Sequence, residues 1–347
     1  MNAPIALATG VAAFLISCAA IVPLRRLALQ WELTDRPSET KAHARPTPYL
    51  GGIAITLGTV VPVIAVLGFA ELRIMAILLA GTAVSLVGLI DDVGPLRPVT
   101  RLVVEAAAAS GVALAGVHIS TPANGWVDGG LTVVWIVVML NSFNLLDNMD
   151  GALGAVSTVT AALLGGTALV TGHPALGLLL IALAGTSLGF LPHNWAPARI
   201  FMGDSGSLFI GFVVTCSAVF LVRGQDPGEM IAGLLLPTFV ATVDTGVVFL
   251  SRVRAGRSPL KGGTDHVTHR LRRLGLSTRT AAATLGALAA VAGGCCLMMA
   301  MRWTSPLVTT MVAGGTAIVL IALLQGVHVY TPIEDLKAPP RIRERRR

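Results

Sequence analysis

Apolar residues in this chain come in blocks of about 17–22, the length at which an α-helix crosses a hydrocarbon core of roughly 30 Å. Hydrophobic residues make up 54% of the 347 residues, and the mean hydropathy is +0.77, outside the range of soluble globular domains. The blocks lack the alternation of a membrane β-barrel, and backbone exposed to lipid must satisfy its own hydrogen bonds. The sequence therefore predicts an all-α polytopic membrane protein.

Eleven blocks are candidate transmembrane helices. They lie at about 3–24, 50–69, 73–90, 100–119, 130–146, 152–171, 174–191, 205–222, 229–250, 280–300 and 305–327. No internal repeat and no soluble domain separates them. Residues 1–327 are therefore expected to form a single multi-pass transmembrane domain, followed by a basic cytoplasmic tail at 328–347.

The positive charges predict an orientation. If the N-terminus lies outside, the cytoplasmic segments are 25–49, 91–101, 193–204, 251–279 and 328–347. Every Lys and Arg falls in these segments except Arg73, Arg223 and Arg302, which is the positive-inside bias. The sequence thus predicts a cell-membrane protein with a cytoplasmic C-terminus. The net charge of +7 follows from this topology and from anionic membrane lipids, so no nucleic-acid partner is expected.

Acidic residues gather at helix ends on the predicted cytoplasmic side. Asp91 and Asp92 end the third helix, Asp147 and Asp150 lie between the fifth and sixth, and Asp204 opens the eighth. Carboxylates at a helix C-terminus oppose the helix dipole, so the first two are poorly placed for stability alone. Helix capping remains an alternative for Asp150 and Asp204. The pattern predicts that carboxylates meet at one membrane face.

The stretch NSFNLLDNMDG, residues 141–151, carries side-chain oxygens at a regular interval. Asn141, Asn144, Asp147 and Asp150 recur every third residue, so on a helix they would form one stripe. Amide and carboxylate oxygens of this kind suit Mg²⁺ or Mn²⁺, particularly where substrate phosphates complete the octahedron. The stretch therefore predicts a divalent-cation site.

The motif GDSGS, residues 203–207, predicts an anion site beside that cation. Gly203 permits close backbone approach, Ser205 can donate hydrogen bonds, and the N-terminus of the following helix attracts phosphate. Two cationic loops could contact the same anions or the lipid headgroups. They contribute Lys41 and His43 in the first inner loop and His266, His269 and Arg270 in the last.

Two further acids lie within predicted spans. Glu105 follows Arg101 by four residues, which favours an ion pair along one helix face. Asp244 lies inside the ninth helix, where an ionisable group is costly and usually functional.

Five segments, taken in order, resemble a known family. They are KAHARPTPYLGG at 41–52, DD at 91–92, NSFNLLDNMDG at 141–151, NWAPARIFMGDSGS at 194–207 and HVTHRL at 266–271. Together they resemble the polyprenyl-phosphate N-acetylhexosamine-1-phosphate transferases, glycosyltransferase family 4, and are more similar to the WecA and TagO branch than to MraY. The resemblance implies ten or eleven transmembrane helices around a cytoplasm-facing catalytic cleft.

The resemblance implies a Mg²⁺-dependent reaction, with Mn²⁺ as an alternative ion. N-acetylglucosamine 1-phosphate would pass from UDP-GlcNAc to undecaprenyl or another polyprenyl phosphate in the inner leaflet, releasing UMP and starting cell-envelope polysaccharide synthesis. Direct attack and an aspartyl intermediate both fit. A phospho-N-acetylmuramoyl-pentapeptide transferase is the alternative within the family, and a cation-coupled transporter is the alternative outside it. A homodimer is also implied.

The resemblance further implies roles for individual residues. Asp204 would bind Mg²⁺ with Asn144 as a second ligand, and the catalytic set would be Asp91, Asp92, Asp147, Asp150 and His266. The substrate-binding set would be Lys41, His43, Asn141, Asn194, Arg199, Gly203, Ser205, His269 and Arg270. Three positions depart from the family pattern. Arg101 stands where a Lys is expected, Asn148 where a Gly is common, and Thr268 where a His is usual.

Overall fold

The structure, a computed structural model, describes residues 3–35, 47–122, 125–258 and 263–330. These residues form thirteen helices and one short antiparallel sheet, β1 (Thr34–Asp35) with β2 (Thr47–Pro48). The helices are α1 (Ala3–Gln30), α2 (Gly51–Leu67), α3 (Leu72–Val93), α4 (Pro98–Leu114), α5 (Trp126–Leu146), α6 (Ala152–Val170), α7 (Pro174–Asn194), α8 (Gly203–Val222), α9 (Pro227–Leu235), α10 (Phe239–Arg254), α11 (Val267–Arg273), α12 (Thr278–Ala300) and α13 (Pro306–Gln325). The predicted all-α class is confirmed.

Eight of the described helices are long and apolar enough to cross a membrane. A ninth span results if α9 and α10 are counted as one broken helix. The polytopic architecture is therefore confirmed, whereas the predicted count of eleven spans is not. The predicted tail lies outside the described residues from 331 onward.

The predicted continuous helix at 229–250 is wrong. The chain bends by 75° between α9 and α10. Pro237 lies in the break, and its ring lacks an N–H and clashes with the preceding turn of a helix. Thr238 donates its hydroxyl to the carbonyl of Leu234 at 2.8 Å, so part of the interrupted backbone bonding is restored by a side chain.

The predicted stripe of four oxygens on one helix is also wrong. Helix α5 ends at Leu146, and α6 begins only after Gly151, which has a left-handed φ of 76°. Asp147 and Asp150 therefore lie in a turn between the two helices. Asn, Asp and Gly dominate this segment, and these residues favour turns because they tolerate the left-handed conformation or bond their own backbone.

Helix α8 is the central helix of the bundle, since 89% of its apolar stretch is buried within the protein. It packs against α2, α3 and α5, while α1, α6, α7 and α12 form an adjoining layer. Glycines in α2 and α3 let these helices approach the first turn of α8 closely. A Cβ on Gly88 of α3 would lie 2.6 Å from the carbonyl carbon of Asp204, and one on Gly52 of α2 would lie 2.3 Å from the nitrogen of Gly206. The predicted acids of α3 and α8 are thereby brought together.

Candidate active site

A cleft of about 500 Å³ opens at the end of the bundle where α8 begins. It is formed by β1, the residue after β2, the last turns of α3 and α5, the turn between α5 and α6, the end of α7, the start of α8, and α11 with the segment before it. Its walls are mostly polar. The lining residues are Thr34, Asp35, Tyr49, Asp92, Asn144, Asp147, Asn148, Met149, Asp150, Asn194, Phe201, Gly203, Asp204, Gly263, Thr264 and His269.

The N-terminus of α8 is capped by a carboxylate from another helix. The backbone N–H of Asp204 donates to one oxygen of Asp92 at 3.0 Å, and that of Ser205 donates to the other at 3.3 Å. A negative charge at a helix N-terminus satisfies free N–H groups and the helix dipole. The helix end predicted to receive a substrate phosphate is therefore occupied by Asp92.

Gly203 allows this arrangement. Its φ is 66°, and a Cβ at this position would lie only 2.3 Å from an oxygen of Asp92. The left-handed backbone disfavours residues with a side chain, and the carboxylate leaves no room for one. The glycine predicted to permit close approach thus faces a carboxylate of the protein itself.

Arg101 joins the acids of α3 and α8. One nitrogen of its guanidinium lies 2.6 Å from a carboxylate oxygen of Asp91 and 2.6 Å from one of Asp204. The predicted pairing of Arg101 with Glu105 is therefore wrong. Glu105 instead accepts a hydrogen bond from the amide of Asn141 at 2.6 Å, away from the cleft lining.

Asn144, predicted as a second ligand of the cation, stands beside Asp204. The Asn144 amide hydrogen-bonds Asp204 and donates to the hydroxyl of Ser207 at 3.1 Å. Oxygen donors of this kind suit Mg²⁺. Among the described residues, no three His, Cys, Asp or Glu side chains form a ready-made metal site. A cation here would therefore draw further ligands from amides, water or substrate.

Asp147 adds a further carboxyl group to the cleft. Burial, followed by the charges of Asp204, Asp92 and Asp150, raises the pKa of Asp147 to about 8. Like charges in a poorly hydrated site disfavour ionisation and favour a bound cation. The electrostatics of the cleft therefore fit a divalent ion.

The segment between α7 and α8 is tied to the turn before α6. The side-chain oxygen of Asn194 accepts from the N–H of Gly151 at 2.9 Å, and its nitrogen donates to the carbonyl of Ile200 at 3.1 Å. Asp150 accepts from the N–H of Ala198 at 2.9 Å. Asn194 and Asp150 thus connect the two segments that form this side of the cleft.

The two loop histidines differ in position. His266 is buried, with its Nδ1 2.8 Å from an oxygen of Asp244, whose other oxygen accepts from the N–H of Val267 at 2.7 Å. His269 lines the cleft, and its ring centroid lies 6.1 Å from that of His266. Asp244, flagged by its place inside a span, therefore positions the start of α11.

Comparison with known proteins agrees with this architecture. The model of glycosyl transferase family 4 matches residues 74–222. A Streptomyces coelicolor protein named as a glycosyltransferase is 38% identical over 93% of this chain and 77% of its own length. The chain belongs to glycosyl transferase family 4.

Two further relatives carry more specific names. A Bacillus subtilis protein named as an undecaprenyl-phosphate N-acetylglucosaminyl 1-phosphate transferase is 30% identical over 78% of this chain and 79% of its own. A phospho-N-acetylmuramoyl-pentapeptide-transferase of Limosilactobacillus reuteri is also 30% identical, but over 58% of this chain and 69% of its own. The family-4 match spans α3 to α8, which supply Asp92, Asn144, Asp147 and Asp204 to the cleft.

Several residues predicted to bind substrate lie elsewhere in this family-4 protein. The guanidinium of Arg270 is buried and donates to the carbonyls of Asp265 at 3.0 Å, Leu324 at 2.7 Å and Val327 at 2.8 Å. It therefore holds the end of α13, which corrects the prediction that it faces the cleft. The hydroxyl of Ser205 is buried against that of Ser85 at 3.0 Å.

The remaining predicted residues separate into three groups. Arg199 is exposed and does not line the cleft. Lys41 and His43 lie outside the described residues. Asp91 does not line the cleft, and Arg101 links it to the lining residue Asp204.

Sequence reasoning missed several lining residues of the family-4 cleft. Tyr49 lies in the first motif and pairs with Phe201 through a β-bridge, which brings two distant segments together. Thr34 and Thr264 flank the two basic loops. The Gly-Gly-Thr run at 262–264 was the only signal for Thr264, and nothing in the sequence distinguished Thr34.

Proposed function

We propose that this protein transfers N-acetylglucosamine 1-phosphate from UDP-GlcNAc to a polyprenyl phosphate and releases UMP. The observation that carries the proposal is the convergence of Asp92, Asn144, Asp147 and Asp204 on one cleft at the end of a membrane-spanning bundle. A soluble nucleotide sugar and a lipid-anchored phosphate can meet only at a membrane surface. The name of the Bacillus relative supports this donor and this class of acceptor.

We place the cleft at the cytoplasmic face. The basic segments at 25–35, 97–101, 252–258 and 263–273 all adjoin the end of the bundle that holds the cleft, and positive charge favours the cytoplasmic side. The N-terminus of α1 would then lie outside. The acids stand at helix ends, which speaks against a transporter with acids at the bilayer midplane.

Asp204 and Asn144 would hold Mg²⁺, with Asp147 close to it. When bound, the ion would neutralise the pyrophosphate and stabilise the charge that develops on the leaving phosphate. The acidic, oxygen-rich character of the cleft supports this assignment.

In the transfer, an oxygen of the lipid phosphate attacks the β-phosphorus of the UDP-sugar. The bond from that phosphorus to the bridging oxygen breaks, and UMP leaves with the oxygen and its electron pair. Arg101, held between Asp91 and Asp204, supplies positive charge beside the incoming phosphates. Asp92 caps α8 and thereby fixes the position of Asp204. We favour this direct displacement over an aspartyl intermediate.

The proposal is tested by transfer of radiolabelled sugar phosphate from UDP-GlcNAc to undecaprenyl phosphate in detergent, with Mg²⁺ or with excess EDTA. We expect label in the lipid phase and stoichiometric UMP only with Mg²⁺. Transfer from UDP-N-acetylmuramoyl-pentapeptide instead would reassign the donor. Transfer that persists in EDTA would refute the metal, and label trapped on the protein without acceptor lipid would refute direct displacement.

We also expect the Mg²⁺ requirement to depend on pH. The pKa of Asp147 is raised to about 8 by burial and by the neighbouring carboxylates, so the group carries a proton below that pH. Protons then compete with the cation, and the Mg²⁺ concentration for half-maximal transfer should fall as the pH rises from 6.5 to 8.5. The Asp147→Asn variant should show a flatter dependence. Equal slopes for the two proteins would contradict this role of Asp147.

A further inference from the structure

The hydroxyl of Thr268 lies between two polar side chains at the edge of the cleft. It donates to the side-chain oxygen of Asn148, which belongs to the acidic turn before α6. It also lies 3.2 Å from Nδ1 of His269, whose ring lines the cleft. Thr268 itself is fully buried, so water does not compete for these bonds.

The donors and acceptors of this group leave one consistent arrangement. The nitrogen of the Asn148 amide donates to the carbonyl of Leu145 at 2.7 Å, so the amide oxygen is the atom that faces Thr268. A hydroxyl has a single proton, and here it goes to that oxygen. The bond between Thr268 and His269 must then be donated by the histidine, from an N–H at Nδ1.

We propose that Thr268 is a positioning residue that holds His269 in the tautomer with its proton on Nδ1. The other ring nitrogen, Nε2, is then a hydrogen-bond acceptor. Among the described residues Nε2 has no partner, and the ring borders the cleft. The ligand group it selects is a neutral donor, a hydroxyl or amide N–H of the nucleotide sugar. This identification of the ligand rests on the proposed function.

The surroundings keep this imidazole neutral. Burial, followed by the charge of His266, lowers the pKa of His269 to about 4. The other charged groups that face it are Asp244, Arg272 and Asp265. A neutral acceptor repels phosphate oxygens, so His269 discriminates by hydrogen bonding and does not neutralise the pyrophosphate.

Asn148 and Thr268 are two of the three positions at which this sequence departs from the pattern of the family it resembles. The structure brings them into direct contact, although 120 residues separate them. The two departures therefore form one unit that joins the acidic turn to the histidine loop.

The tautomer can be measured without any turnover. Full-length protein with ¹⁵N-labelled histidine in lipid nanodiscs is compared with Thr268→Val, Thr268→Ser and His269→Gln, the last of which identifies the His269 signal. We expect a protonated Nδ1 and a bare Nε2 in the wild type and in Thr268→Ser. Thr268→Val should shift the proton toward Nε2. A wild-type signal with its proton on Nε2, or no change in Thr268→Val, would overturn the proposal.

Kinetics separate this role from the proposed function. If the wild type releases UMP from UDP-GlcNAc, Thr268→Val should raise KM for the donor by about tenfold, the loss of one buried hydrogen bond, with little change in kcat. Thr268→Ser should restore KM. Thr284→Val on the exposed face of α12 is the matched control and should behave as wild type. An unchanged KM in Thr268→Val sinks the positioning role, whereas no UMP from the wild type sinks the proposed function instead.

Discussion

An Asp204→Asn variant is expected to lose sugar-phosphate transfer almost completely, with kcat lower by about 10³-fold or more. The substitution keeps the shape of the side chain but removes a charge worth several kcal/mol to a bound cation, and each 1.4 kcal/mol corresponds to a factor of ten in rate. It also removes one of the two carboxylates that hold Arg101. The measurement is UMP release at saturating UDP-GlcNAc and Mg²⁺, together with the thermal unfolding of the purified protein.

Asp128→Asn is the matched control for that experiment. Like Asp204, Asp128 lies in the first turn of a spanning helix; it is buried and accepts from the N–H and hydroxyl of Thr121 at 3.0 and 2.6 Å. It does not line the cleft. We expect this variant to lose stability but to retain transfer per folded molecule. Transfer by Asp204→Asn above about a tenth of the wild-type rate would refute a metal-binding role.

The second large effect is expected for Gly203→Ala, which should abolish transfer without any change in charge. The left-handed backbone costs an alanine roughly 1–2 kcal/mol. The added methyl would also displace the carboxylate of Asp92, which a Cβ would approach to 2.3 Å. Loss of this cap should shift the first turn of α8 and move Asp204 away from Asn144. The decisive measurement compares Mg²⁺-dependent transfer with thermal stability.

Gly68→Ala is the control that separates the effect of backbone strain from the effect of displacing the Asp92 carboxylate. Gly68 has a similar φ of 58°, but a Cβ there meets open space. It should therefore lose stability through its backbone alone and keep its activity. If Gly203→Ala and Gly68→Ala retained equal activity, the contact between Gly203 and Asp92 would have no part in catalysis.

The sequence predicted the membrane class and the gathering of acids because both follow from local patterns. Apolar blocks of spanning length identify helices wherever they occur, and helix ends can be placed on one face by the surrounding charges. The break at Pro237 was not predicted, because a proline alone does not locate a break: Pro62 and Pro192 lie inside the continuous helices α2 and α7. The place of Asp147 and Asp150 between the fifth and sixth helices was predicted correctly, whereas the single stripe of oxygens was wrong, because an i,i+3 spacing aligns side chains only while the helix continues.

Other features depended on contacts between distant segments. Asp92 caps α8 through a bond to Asp204, which lies 112 residues further along the chain. Nothing local distinguishes such a carboxylate from one that binds substrate. Arg270 was likewise predicted to bind substrate, and only its bond to the end of α13 shows that it has a structural partner. Long, charged side chains can be assigned only once their partners are known.

The hydrogen bonds from Arg270 to the end of α13 connect the cleft to a helix that faces the bilayer. The last carbonyls of any helix lack partners, and here Arg270 and Arg273 reach back from α11 to bond the chain at 324–329. Only 17% of the apolar stretch of α13 is buried within the protein, so α13 is the most lipid-exposed of the described spans. A helix of this kind tilts to match the local membrane thickness. Since α11 also carries His269, one wall of the cleft is bonded to the end of the most lipid-exposed described span, and a change in the tilt of α13 would be transmitted to that wall.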